Sequence, residues 1–157
     1  MSKRKKQTVP SKKTQVSNNY AGKLSLVVPC FNEGNRLGDL FSKLQRFHSD
    51  WTGNFEVILV NDGSTDDTLE KLQTKGDAFS AATGVSVAIV DLETNKGKGA
   101  ALKAGVQRAT GDHILTLDAD MATSPQELLS WIPLLPGNTF PEDAILIASR
   151  EHEESKV

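Results

Sequence analysis

The sequence predicts an α/β domain built on a mainly parallel sheet with helices on both faces. Two observations carry this. Short apolar runs of strand length alternate with segments whose apolar residues recur at helical spacing, in the order β-α-β-α-β-α-β, then a short helix and a further strand. Polar clusters follow the apolar runs at their carboxyl ends, which is where open parallel sheets bind ligands. A chain of 157 residues fits one domain with enough interior to bury a core around such a sheet.

The elements justify this reading in order. Residues 24–28 form an apolar run stopped by Pro29, the pattern of a buried strand. Leu37, Leu40, Phe41, Leu44 and Phe47 then repeat at helical spacing. A second strand over 55–60 ends at Asn61, Asp62, Gly63 and Ser64, a strong turn signal. Asp66 and Asp67 suit the first turn of a helix, where the dipole favours anions, and Leu69 and Leu72 would carry its inner face. A third strand spans 85–90. After the loop Asn95, Lys96, Gly97, Lys98, Gly99 comes an alanine-rich helix to about Ala109, with Gly111 as its expected stop. Its small residues Ala100, Ala101, Ala104 and Gly105 predict close packing on the sheet. A fourth strand over 113–117 ends at Asp118, Ala119 and Asp120. Ser124, Pro125, Gln126 and Glu127 read as a capping box with proline at the first helical position. A last strand over 144–148 ends at Ser149 and Arg150, and no internal repeat is evident.

Charge is unevenly spread. Six basic residues and no acidic ones fall within residues 1–20, which leaves 12 basic against 20 acidic residues in the rest. An acidic body does not read as a nucleic-acid-binding domain. Residues 1–22 read as a disordered basic tail before a domain over 23–157. The tail is expected to act as a solvated arm. A sharper alternative is peripheral contact with anionic lipid, at ~1 kcal/mol per basic residue near the surface. One cysteine, Cys30, allows no internal disulfide and fits a reducing compartment. No apolar run approaches the ~20 residues of a membrane span, and no hydrophobic stretch follows the charged N-terminus as in a secretory signal. The expected place is therefore the cytoplasm, with membrane contact only at its surface.

Asp118 and Asp120 flank a small residue at a strand end. In extended chain, residues i and i+2 point the same way, so both carboxylates can face one cavity. Unpaired, they repel. A hard divalent cation relieves this, and Mg²⁺ typically takes one or two carboxylates together with phosphate oxygens. A solvated turn with Asp118 capping a helix would use the same residues. Lys96 and Lys98 sit among Gly97 and Gly99 before a helix, where the backbone can approach an anion. The spacing matches neither the dinucleotide fingerprint nor a Walker loop, and an ordinary surface turn is the alternative. Asp62 can accept hydrogen bonds from a base or ribose, or shape the entry to the next helix.

Five segments carry a resemblance in order and spacing: Val27 to Glu33, Val60 to Asp66, Asn95 to Ala101, Leu117 to Thr123 and Ala148 to Arg150. The chain resembles family 2 glycosyltransferases of the GT-A fold, and within them the dolichyl-phosphate glucosyltransferase and mannosyltransferase group, over about residues 24–152. The resemblance implies an inverting transferase that moves a hexose from UDP-glucose or GDP-mannose to a polyprenyl or dolichyl phosphate or another acceptor. It implies a Mg²⁺ or Mn²⁺ cofactor held by Asp118 and Asp120. It places Pro29, Asn32 and Glu33 at the nucleotide pocket and Asp62 on the base. Gly63 and Ala119 belong to the same motifs and count with the donor-binding residues. The loop of Lys96, Gly97 and Lys98 would pass near the nucleotide, and Arg150 would face a phosphate of acceptor or donor.

Asn61 stands where many members have Asp, which would soften base recognition. Ala122 stands where mannosyltransferase members often have a metal-contacting Gln, a hint toward UDP-glucose. The family's catalytic domain continues well beyond residue 157, so the expectation is a nucleotide-binding portion without the rest. A polyprenyl phosphate acceptor arrives already anionic, since a phosphate monoester's second pKa is ~6, and needs no general base. A hydroxyl acceptor would need one. His113 at a strand start and His48 and His152 at the surface do not supply it. The alternatives are a non-catalytic nucleotide-sugar-binding module, a nucleotidyltransferase on a similar sheet, and a scaffold whose tail binds anionic partners.

Overall fold

A computed structural model describes residues 20, 22–135, 137 and 139–141. Four parallel strands form the sheet: β1 (Lys23–Cys30), β2 (Asn54–Asp62), β3 (Ser86–Leu92) and β4 (His113–Thr116). Three helices connect them, α1 (Leu37–Asp50), α2 (Thr68–Thr83) and α3 (Lys98–Arg108), and a short α4 (Glu127–Trp131) follows. The α/β alternation and the parallel sheet are as the periodicity predicts. The strand over 144–148 lies outside the described residues.

The spatial order is β3-β2-β1-β4. The chain winds outward from β1 through β2 to β3, then crosses back to place β4 on the other side of β1. This reversal is the topological switch point of an open parallel sheet, and the crevice beyond the carboxyl ends of β1 and β4 is the expected ligand site.

Alternation along the strands explains the layers. Leu24, Leu26 and Val28 of β1, with Phe55, Val57 and Leu59 of β2, share one core with Leu37, Leu40, Leu44 and Phe47 of α1 and Leu72 and Phe79 of α2. Val27, Ile58 and Val60 point to the opposite face and meet Ala101 of α3. Fully burying a large apolar side chain contributes about 1.5–3 kcal/mol, so the four buried positions of α1 outweigh its lack of a side-chain cap. The small-residue face of α3 does pack closely. A Cβ on Gly105 would lie 2.4 Å from Val27 Cγ1 and 3.0 Å from Val60 Cγ2.

Several boundaries differ from expectation. The fold reaches back to Tyr20, whose half-buried ring packs on Trp51, His113 and Phe140 and whose hydroxyl bonds Lys23 O at 3.1 Å. An isolated tyrosine in a polar stretch gives no periodic signal. Gly111 is not the stop of α3, which ends in extended backbone at Ala109. Instead Gly111 lies against β1, donating its N–H to Ser25 Oγ at 2.9 Å where a Cβ would collide with Lys23 O. The capping box does not form. The Ser124 hydroxyl meets Gln126 Oε1, and the helix entry is closed by backbone bonds from Glu127, Leu128 and Leu129 to the carbonyls three residues earlier. Leu69 is only half-buried, and the inner face of α2 runs through Thr68, Leu72, Gly76 and Phe79.

Candidate active site

A cavity of about 340 Å³ opens at the carboxyl ends of β1, β2 and β4, at the switch point. That size lies within the usual range for small-molecule sites, ≈ 300–1,000 Å³. Pro29, Cys30, Phe31 and Glu33 supply the β1 wall, Asp62 the β2 end, Asn95, Gly97 and Lys98 the entry to α3, and Asp118, Ala119 and Asp120 the segment after β4.

The carboxylate pair is presented as its spacing predicts. Burial continues to alternate past the end of β4, with Leu117 and Ala119 inside and Asp118 and Asp120 outside. Leu117 N–H still bonds Val27 O at 2.9 Å, so the extended register carries into the site. The turn then closes with Met121 N–H on Asp118 O at 2.9 Å, and Asp120 Oδ1 accepts the Ala122 N–H at 2.9 Å. Met121 has φ +52°, a left-handed backbone that favours glycine or asparagine. Its side chain is fully buried, and its carbonyl accepts from Lys43 Nζ of α1 at 3.0 Å. Burial and this bond hold a conformation that costs about 1–3 kcal/mol.

Lys98 crosses the cavity, with Nζ 2.5 Å from Asp118 Oδ1. Asp62 is buried and accepts the Lys96 N–H at 2.8 Å, so this carboxylate ties the loop before α3 to β2. Gly63 next to it has φ +63°, and a Cβ there would lie 2.3 Å from backbone atoms of Thr94 and Asn95. Only glycine fits. Glu33 holds its backbone N–H on Thr68 Oγ1 at 2.8 Å and pairs with Arg36 at 3.3 Å. Thr68 also bonds Asp66 and holds its carboxyl below the ordinary value, against a smaller opposing effect of desolvation.

Eight of the sequence-derived residues therefore wall one cavity: Pro29, Glu33, Asp62, Gly97, Lys98, Asp118, Ala119 and Asp120. Asn32, Gly63 and Lys96 are not in the wall but hold it. Asn32 takes a left-handed backbone and stitches β1's loop to β2's, accepting Thr65 N–H at 2.9 Å and donating to Ser64 Oγ at 3.0 Å. Arg150 lies outside the described residues. Asn61 is also not in the wall. It is buried, and Nδ2 donates to Asp91 Oδ1 at 2.7 Å. An Asp at 61 would set two carboxylates against each other, so the departure at 61 fits its neighbour Asp91. Of the histidines, His113 packs in the aromatic cluster at the opposite end of the sheet and His48 is half-buried beside Phe55.

Residue-type reasoning passed over Cys30, Phe31 and Lys43. Cys30 is buried, and burial first, then the nearby charge of Glu33, pushes its thiol up to about 12. It is a neutral wall and not a nucleophile. Phe31 is an exposed large apolar residue at the rim, a signal that only three dimensions reveal. Lys43 looks like any helix-surface lysine until its bond to Met121 is seen.

The wall bears four carboxylates, on Glu33, Asp62, Asp118 and Asp120, against one ammonium on Lys98, with Arg36 paired to Glu33 from outside. A bound cation would offset this negative balance for an anionic ligand. The paired carboxylates and the open room beside them fit a divalent ion that completes its shell with phosphate oxygens. Such a site at the switch point of an α/β sheet suits a phosphorylated ligand accompanied by a divalent ion.

The chain belongs to glycosyl transferase family 2, whose pattern it matches over residues 25–139. It is 37% identical over 109 residues to a dodecaprenyl-phosphate galacturonate synthase of Rhizobium johnstonii, covering 69% of this chain and 31% of that one. It is 36% identical over 105 residues to an undecaprenyl-phosphate 4-deoxy-4-formamido-L-arabinose transferase of Pseudomonas savastanoi pv. phaseolicola, covering 67% and 30%. The chain thus spans about a third of the length of these relatives. Among solved structures it resembles a mannosyltransferase of Pyrobaculum calidifontis in complex with GDP-Man and Mn²⁺, with TM-score 0.59 at 21% identity, covering 71% of this chain and 32% of that one. It also resembles S. aureus TarS in complex with UDP, with TM-score 0.50 at 31% identity, covering 62% and 27%. The first supports the GT-A fold alone.

Proposed function

We propose that this chain forms the donor site of an inverting glycosyltransferase that moves a hexose from a nucleotide-sugar to a polyprenyl phosphate. The observation that carries the reading is the meeting of Asp118 and Asp120 with Lys98 and the α3 entry in one cavity at the switch point. The polyprenyl-phosphate acceptor follows the names of the relatives. A uridine nucleotide is favoured by the UDP bound to TarS, and Ala122 in place of a Gln fits a glucose-type donor.

In this reading Asp118 and Asp120 would hold Mg²⁺ or Mn²⁺, which when bound supplies positive charge to the diphosphate. Lys98 and the N-terminus of α3 face the same group and stabilise the charge that builds as it departs. Pro29, Phe31 and Glu33 bound the nucleotide side, and Asp62 and Gly63 keep the 95–98 loop against β2. An acceptor phosphate oxygen bonds the anomeric carbon as its bond to the diphosphate breaks, and the electron pair leaves with the nucleoside diphosphate. No proton need be removed, because the acceptor is already ionised. Inversion follows from the single displacement. Arg150 is assigned to an acceptor or donor phosphate. No described helix is long and apolar enough to cross a membrane, and contact with a lipid acceptor is proposed at the membrane surface, aided by the basic tail. Family membership leaves the nucleotidyltransferase alternative with no observation in its favour.

The test is transfer of labelled hexose from UDP-hexose or GDP-hexose to a polyprenyl phosphate with Mn²⁺. The expected result is an extractable lipid-linked sugar, lost in Asp118→Asn/Asp120→Asn. Product that persists in the double variant, or sugar transferred only to hydroxyl acceptors, contradicts the proposal.

A further inference from the structure

Resting on the reading that Asp118 and Asp120 hold a divalent cation on the donor diphosphate, we propose that Lys98 is a stand-in cation. It occupies Asp118 until a nucleoside diphosphate enters, and so makes metal binding depend on the nucleotide.

Lys98 Nζ sits 2.5 Å from Asp118 Oδ1, closer than the 3.3 Å of Arg36 to Glu33 at the same wall. The two residues come from different connections of the sheet, α3's entry and the turn after β4, so the pair spans the cavity. One oxygen of Asp120 is already engaged by the Ala122 N–H at 2.9 Å. A metal ion arriving alone therefore meets one carboxylate held by an ammonium and another partly committed to its own turn. Coordination through Asp118 Oδ1 displaces Lys98 with nothing offered to that ammonium in exchange.

A diphosphate changes the balance. It brings anionic oxygens into the same cavity, beside the first residue of α3. Lys98 can exchange one carboxylate for phosphate oxygens without leaving the cavity, and Asp118 is freed. The exchange is easy because the pair is exposed, with side chains 61% and 57% accessible. Such pairs are weak and screened. Gly97 before it, at φ +87° with open space around its α-carbon, leaves room for the loop to adjust. Coupling of this kind is reciprocal: the nucleotide tightens the metal and the metal tightens the nucleotide by the same factor.

The experiment measures Mn²⁺ affinity of the full chain by calorimetry, alone and with saturating UDP or GDP, for wild type, Lys98→Met and Lys103→Met. Lys103 is the control for charge alone, an exposed residue of α3 outside the cavity wall. Lys98→Met is expected to bind Mn²⁺ alone about 2–5-fold more tightly than wild type, the range set by an exposed pair. Its gain in Mn²⁺ affinity on adding nucleotide should shrink, and Lys103→Met should stay near wild type. Unchanged or weaker Mn²⁺ binding in Lys98→Met, or an equal gain in Lys103→Met, overturns the proposal while leaving the donor site standing. No Mn²⁺-dependent nucleotide binding in wild type removes the donor-site reading itself, and this inference with it.

Discussion

Glu56 is a buried carboxylate far from the cavity, at the opposite end of the sheet. Burial alone would raise its pKa. Bonds from Lys23 Nζ at 2.6 Å, Ser25 Oγ at 2.7 Å and the Thr110 N–H at 2.7 Å reverse this and hold it at about 2, against an ordinary 4.5. A carboxylate depressed on folding adds stability above its unfolded pKa, and that stability is lost as pH falls from about 4.5 towards 2. Glu56→Gln is expected to cost roughly 2–3 kcal/mol at pH 7 and to flatten the acid sensitivity between those values. Urea unfolding at pH 7 and pH 3 would show it; equal stability of variant and wild type at pH 7 would contradict it. Nothing in the sequence marks Glu56 out, because its partners are 31, 33 and 54 residues away. Asp118, Asp120 and Lys98 were legible by contrast, since each stands beside glycine or alanine at the end of a periodic segment. The ion pair that Lys98 and Asp118 make across the cavity was not.

At the scale of elements, periodicity located all four described strands and the helices α1 and α3 to within a few residues, and α2 at its start. Places where a side chain decides the local path were harder. Met121 in a left-handed turn, the unformed capping box at Ser124 and the tight contact of Gly111 with β1 each depend on a distant segment. The Asp118 to Met121 turn rests on α1 through Lys43. Lys43→Met should leave global stability close to wild type while lowering Mn²⁺–nucleotide affinity by up to about fivefold, the scale of one hydrogen bond; a calorimetric titration beside a thermal melt separates the two effects. The helix α3 gives a packing prediction. In Gly105→Ala the new methyl must push against Val27 and Val60, and overpacking of this kind costs about 1–3 kcal/mol. Thermal unfolding should show the loss, and a variant as stable as wild type would mean that α3 sits further from the sheet.

For the molecule as a whole, alternation of strands and helices implies a parallel sheet but not its order. The position of β4 beside β1, and not beyond β3, is set by contacts no local pattern carries: the pairing of Leu24 with His113 and the bonds of Glu56 to Thr110. That order creates the switch point and brings the end of β4 to the end of β1. The five motif segments already pointed to one shared site, and four of them lie among the described residues and converge there. The measurement that bears most directly on this account is calorimetric titration of the chain with UDP-glucose and GDP-mannose, with and without Mn²⁺, in wild type and in Asp118→Asn/Asp120→Asn. The expected result is Mn²⁺-dependent binding of one donor that the double variant loses. Binding that ignores both the metal and the two carboxylates, or no binding of either donor, would contradict it.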